Sequence, residues 1–134
     1  QVSASYLFPW HLFRRGERVA IYGAGNVGRD FVRQLQEFDY VKLAGVVDRD
    51  GPRAKIPGTE VDYPQSLRDM DYDALLLSVQ DKSLVDSIKG DLKKLGIDEY
   101  KVRWDGEHYL RQDFFSGIYF PWLDRCKLCG EKQK

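Results

Sequence analysis

The run Tyr22-Gly23-Ala24-Gly25-Asn26-Val27-Gly28 constrains this chain more than any other. It follows a short β-like stretch, Arg18-Val19-Ala20-Ile21, and opens a segment with helical spacing. A second apolar run, Leu43-Ala44-Gly45-Val46-Val47, ends at Asp48, 20 residues beyond Gly28. This is the layout of a dinucleotide-binding βαβ unit, and each part has a physical task. Gly23 permits the tight turn from strand to helix. Gly25, without a Cβ, lets the backbone approach a pyrophosphate. Gly28 lets the helix pack closely on the sheet. The helix N-terminus, from Asn26 to Arg29, offers free N–H groups and a positive dipole end to an anion. Asp48, at the tip of the second strand, can accept hydrogen bonds from ribose hydroxyls. A fold of this kind can also carry an empty pocket or one serving another ligand.

The periodicity continues the pattern. Val27, Phe31, Leu35 and Phe38 recur at helical spacing, with Arg29, Asp30, Arg33, Gln34 and Glu37 expected to face away. The stretch from Arg49 to Gly58 is too rich in Pro and Gly for a full helix. Thr59-Glu60-Val61 reads as a short third strand, with a small helix around Pro64 to Asp69. Asp73 to Val79 reads as a buried parallel strand. Ser83 and Asp86 resemble a capping box before a helix whose stripe is Leu84, Val85, Ile88, Leu92 and Leu95, with Gly96 as its C-cap. Lys101 to Trp104 is the expected fifth strand. Alternating strands and helices imply an α/β, Rossmann-like three-layer sandwich with a five-stranded parallel sheet in order 3-2-1-4-5. The ligand crevice then lies beyond the strand carboxyl ends, between the first and fourth strands, with Ser78, Val79 and Gln80 on its far wall. Ser78 reads either as a ligand contact or as an ordinary strand-to-loop residue.

Bulk properties fit one compact soluble domain of 134 residues, 43% of them hydrophobic. The 21 cationic residues balance 21 anionic ones, so no basic field recommends nucleic acid or an anionic membrane. No apolar run approaches a membrane span, no signal-peptide pattern opens the chain, and a cytoplasmic location is the default. Three parts are expected: an aromatic N-terminal segment (1–17), the nucleotide-binding domain (18–105), and a C-terminal helix and tail (106–134).

Residues 6 to 31, with Tyr6-Leu7-Phe8-Pro9-Trp10 and the strand–glycine–helix run, and Val46-Val47-Asp48 resemble a group of small Rossmann-like domains. These are attached to bacterial cell-surface glycan enzymes: glycosyltransferases, sugar methyltransferases and glycerophosphotransferases. The stretch from Asp48 to Leu67, with a loop in place of a helix, is similar to the N-terminal domain of bacterial sugar acyltransferases. The resemblance covers roughly residues 6 to 105. It implies a nucleotide or nucleotide-sugar pocket at Gly23, Ala24, Gly25, Asn26, Val27, Gly28 and Asp48, and it supplies no catalytic residue. The loop after Asp48 also shortens the wall that would cradle an adenosine, which weakens the case for NAD. Asp48 opposes a 2′-phosphate; Arg49 could reverse that choice, stack on a base, or be a solvated loop cation.

Little else suggests chemistry. His11 and His108 sit in no catalytic constellation, Asp69 to Asp73 reads as a solvated turn, and Tyr22 as core. Cys126 and Cys129 have the spacing of one zinc knuckle, but a closed structural site needs two more ligands and this chain has no second pair. Nine of the 18 aromatic residues fall in 6–13 and 114–122. These stretches are expected to pack on their own domain, leaving some surface for another domain of a parent enzyme or an identical subunit. The leading expectation is a non-catalytic nucleotide or nucleotide-sugar binding domain of a surface-polysaccharide enzyme. The alternative is an NAD(H)-binding oxidoreductase or redox-sensing domain, for which 134 residues leave no substrate domain. A purely structural oligomerisation domain is a third reading.

Overall fold

The computed structural model describes residues 6–106. Five strands form one parallel sheet: β1 (Arg18–Tyr22), β2 (Lys42–Val47), β3 (Val61–Asp62), β4 (Ala74–Leu77) and β5 (Val102–Arg103). Their order is β3-β2-β1-β4-β5, as the alternation of elements predicts. Two helices, α1 (Asn26–Glu37) and α2 (Lys82–Lys94), complete an α/β Rossmann-like sandwich.

Period-two side chains divide the core between the two faces of the sheet. Val19, Ile21, Ala74 and Leu76 pack with Phe31, Val32 and Leu35 of α1. Ala20, Tyr22, Leu75 and Leu77 pack with Val85, Ile88 and Leu92 of α2. Tyr22 is paired with Val47 on one side and Leu77 on the other, so the residues that follow, Gly23, Asp48 and Ser78, emerge side by side at the carboxyl edge. The ladder runs one step further there, with Gly23 N–H donating to the Val47 carbonyl (2.7 Å) and Ser78 N–H to the Tyr22 carbonyl (3.0 Å).

The N-terminal segment belongs to the α1 face. Phe8, Trp10 and Phe13 are buried, and the Phe8 ring lies 4.7 Å from Trp10, 5.1 Å from Phe13 and 5.5 Å from Phe31. Gln34, expected to face solvent, is instead buried beneath this segment. Its carboxamide oxygen accepts from Phe8 N–H (3.0 Å), and its amide donates to the carbonyls of Tyr6 (2.7 Å) and Asp30 (2.9 Å). A polar side chain is tolerated there because every hydrogen-bonding atom it buries finds a partner.

Other boundaries differ in detail. The N-cap of α2 is Asp81, not Ser83: its carboxylate accepts from Ser83 N–H (3.0 Å) and Ser83 O–H (2.8 Å). An aspartate two residues upstream reaches the orphan amide before the serine can act as cap itself. Leu84 is exposed, leaving Val85, Ile88 and Leu92 as the buried stripe. The helix stops at Gly96 (φ +80°), with Gly96 N–H bonded to the Lys93 carbonyl and Ile97 N–H to that of Leu92, a Schellman ending. The third strand is Val61–Asp62, because Thr59 is drawn into an antiparallel bridge with Ile56. The stretch from Asp48 to Gly58 holds only one 3-10 turn, Gly51–Arg53, and Pro64–Asp69 is likewise 3-10. His108, the aromatic stretch 114–122, Cys126 and Cys129, and all but the first residue of the expected C-terminal part lie outside the described residues.

Candidate functional site

The three glycines of the loop answer to different constraints. Gly23 has φ +116°, and a Cβ there would lie 2.5 Å from Ser78 Oγ, so both backbone and neighbour demand glycine. A Cβ on Gly28 would collide with the Gly23 carbonyl. Gly25 is different. Its φ of −83° and ψ of −157° suit any residue, and a Cβ would meet nothing within 4 Å. Neither backbone angle nor steric space requires glycine at this position.

Gly25 is the N-cap of α1, with no side chain closing the helix end and no acidic residue in the first turn. The first bond into the helix runs from Arg29 N–H to the Gly25 carbonyl (2.9 Å). The amides of Asn26, Val27 and Gly28 therefore have no partner among the described residues and carry the positive end of the helix dipole. Gly25 and Asn26 are exposed, whereas Ala24 is buried beneath the turn.

Asp48 is brought directly to the loop. One carboxylate oxygen accepts from Ala24 N–H (2.8 Å) and the other from Asp50 N–H (2.8 Å). It ties the tip of β2 to the glycine turn, and a carboxylate with about four lone-pair sites keeps capacity for further donors. Ser78 is buried under the same turn. Its hydroxyl lies 2.9 Å from the carbonyl oxygens of both Tyr22 and Gly23 and shares its proton between them. It shapes the loop from below, while Gly25 and Asn26 are exposed above it.

Arg49 turns away from the glycine loop toward α2, donating to Ser87 Oγ (3.0 Å) and Asp91 Oδ2 (2.8 Å). This bridge runs beside Tyr22, which is 2% exposed and whose hydroxyl has no hydrogen-bond partner among the described residues. Burial pushes the Tyr22 phenol up. The Arg49 guanidinium lies close enough to oppose that rise, but outside hydrogen-bonding geometry.

Two features escaped the motif reading. The Trp104 indole N–H donates to the Val79 carbonyl (2.6 Å) and pins the loop after β4. Its only signal is a tryptophan directly after the last strand. Ser87 and Asp91, four residues apart, share one side of α2 and so can meet the same guanidinium. Elsewhere, a groove of about 360 Å³ lined by Lys89, Lys93, Ile97 and Val102 contains none of the residues that the motif singles out. Among the described residues no three His, Cys, Asp or Glu side chains converge on a metal position, and no helix is long and apolar enough to cross a membrane.

The arrangement can receive an anion above Gly25 and hydroxyl donors near Asp48. It assembles no nucleophile with a base among the residues described above. Comparison with curated proteins gives no match. A family model described as C2185-like, N-terminal, matches residues 15–103, all five strands of the sheet with both helices, and the chain therefore belongs to the C2185-like N-terminal family.

Proposed function

We propose that this domain binds a nucleotide or nucleotide-linked sugar through its diphosphate and contributes no chemistry of its own. Gly25 carries the reading. A glycine that neither backbone angle nor neighbouring atoms require stands at the N-cap of a helix whose first amides are unpaired. Keeping that space clear has a physical use if an anion must approach the backbone there. Asp48 beside it supplies acceptors for the adjoining ribose. The setting we propose is an accessory domain of a bacterial surface-polysaccharide enzyme, which rests on the sequence resemblance alone.

Thermal-shift titration against NAD(H), NADP(H) and UDP-, CDP- and GDP-linked sugars tests this, run on wild type and Gly25→Val. Ligand at 100 times its Kd stabilises the fold by about 2.7 kcal/mol. The open space and extended angles at Gly25 keep the cost of valine to that of a weaker N-cap, about 1 kcal/mol. A selective shift with a nucleotide-sugar, lost in Gly25→Val, supports the proposal. A shift with NAD(H) instead would favour a dinucleotide domain. An equal shift in Gly25→Val would move the site elsewhere, and no shift with any ligand would reject the reading.

A further inference from the structure

The second half of α2 and the strand β5 enclose a groove of about 360 Å³ that none of the glycine-loop residues touches. Ile97 and Val102, both half-buried, give it an apolar floor, and the exposed Lys89, Lys93 and Glu99 stand at its rim. Gly90 lines it as well. This glycine is exposed in the interior of α2, has no positive φ, and a Cβ there would meet nothing within 4 Å. Helix interiors disfavour glycine more than any residue except proline. Neither backbone angle nor packing among the described residues asks for it. Its one visible effect is to leave the groove open against the helix.

Beside this hole stands a knob. The 3-10 turn Glu99–Lys101 packs against α2 and leads directly into β5. Tyr100, at its centre, is 92% exposed, more than any other large hydrophobic residue described. The turn itself is firmly held. The Asp98 carboxylate accepts from Tyr100 N–H (2.9 Å), and Lys101 N–H donates to the Asp98 carbonyl (3.0 Å). The Lys101 ammonium turns inward to the Tyr72 carbonyl (3.3 Å), which leaves Asp98 and Glu99 as the exposed charges of the turn. On the α2 side, Asp86 is paired with Lys82 and Asp91 with Arg49, so Lys89 and Lys93 have no ion pair within their own helix. A single exposed tyrosine is ordinary on a protein surface. Here Glu99 belongs to both the turn and the groove rim, so an acidic knob and a hole with a basic side share one face. Such a face is self-complementary, because a two-fold rotation brings each knob to the other copy's hole.

We propose that this face is the interface of a two-fold symmetric dimer of the chain. Tyr100 of each copy seats in the groove of the other over Gly90, and Asp98 and Glu99 meet Lys89 and Lys93 across the axis. Tyrosine suits the role, since a large, rigid side chain filling a pocket carries much of the energy of protein interfaces. The dimer also shields the outer edge of β5, which pairs with β4 alone among the described residues. Nothing in the interface involves the glycine loop, so dimerisation and nucleotide binding stand or fall separately.

Sedimentation equilibrium on the full chain, from micromolar to millimolar concentration, tests the dimer. Wild type should show a reversible monomer–dimer equilibrium. Each interface contains every residue twice, so a loss of about ten-fold per seat becomes about a hundred-fold in the dimer constant. That loss is expected for Tyr100→Ala, with the melting temperature of the monomer unchanged because the side chain is exposed. Gly90→Gln should fill the groove and weaken the dimer to a similar degree while the monomer melts higher, glutamine being the better helix former. Lys93→Glu and Glu99→Lys should each weaken association, and the double variant should recover much of it. A chain that stays monomeric over the whole range would overturn the proposal. A dimer indifferent to both Tyr100→Ala and Gly90→Gln would overturn it too, by assigning the association to another surface.

Discussion

Replacing Gln34 by leucine removes one of two polar side chains, the other being Asp30, that fasten the N-terminal segment to α1. The substitution keeps side-chain volume and apolar burial but deletes three hydrogen bonds, to Phe8 N–H, the Tyr6 carbonyl and the Asp30 carbonyl. Phe8 is completely buried, so its amide is left with neither the Gln34 acceptor nor access to water. An unsatisfied buried donor costs about 1–3 kcal/mol, and the two carbonyls, nearer to solvent, add about 1 kcal/mol together. The segment is poorly placed to absorb this. Burying three aromatic rings of about 200 Å² each at about 25 cal/mol per Å² yields about 15 kcal/mol. Ordering eight residues at about 1.5 kcal/mol each consumes about 12 kcal/mol. The surplus, about 3 kcal/mol, is the size of the Gln34 contribution. We therefore expect Gln34→Leu to lower the unfolding free energy by about 2–4 kcal/mol, read by urea denaturation followed by circular dichroism. The melting temperature should fall by about 10–20 °C for a domain of this size. Gln34→Glu, which still accepts from Phe8 but faces two carbonyls and the Asp30 side chain with a carboxylate, should be no better at neutral pH and should recover on acidification. A Gln34→Leu variant within about 0.5 kcal/mol of wild type, the range of ordinary surface substitutions, would refute this account of how the segment is held.

Two further expectations concern the loop and the sheet edge. Gly28→Ala sets a methyl group against the Gly23 carbonyl, a backbone atom that cannot swing aside, and should destabilise the domain by about 1–3 kcal/mol or more by overpacking; a melting temperature equal to wild type would refute it. Asp73 accepts from the Arg18 side chain and the Arg18 amide, which together hold its carboxyl down to about 2 from the usual 3.8. A carboxyl depressed in the folded state stabilises it above the unfolded pKa and loses that effect as pH falls through the folded one. The melting temperature of wild type should therefore exceed that of Asp73→Asn at pH 6, and the gap should narrow between pH 4 and pH 2. A gap independent of pH would contradict the ion pair.

Much of the architecture was legible because it is written in short-range patterns. Apolar runs of strand length, helical spacing and the positions of glycine yield the element order, and right-handed crossovers leave the observed strand order as the natural solution. Gln34 shows where residue type misleads. Seven residues after Val27, at about 100° per residue, it returns to within about 20° of Val27 and so lies inside the apolar stripe. Its polarity argued for the outer face, and the overlying segment, 26 to 28 residues earlier in the chain, supplies two of the three partners that let it stay. Asp81 shows the same problem on a shorter scale, since any of several polar residues can cap a helix and geometry selects one.

By itself, the sequence determined the Rossmann-like order of elements and the positions of Gly23, Gly25 and Gly28, because periodicity and backbone freedom are properties of neighbours along the chain. Tertiary structure decided which glycines the fold requires and which it leaves open. It also decided that Asp48 ties the loop, that Ser78 lies beneath it, and that Arg49 crosses to a helix residue 42 positions away, beside a tyrosine hydroxyl unpaired among the described residues. The reason is physical: steric clearance and hydrogen-bond satisfaction depend on which distant atoms arrive, and no local pattern records that.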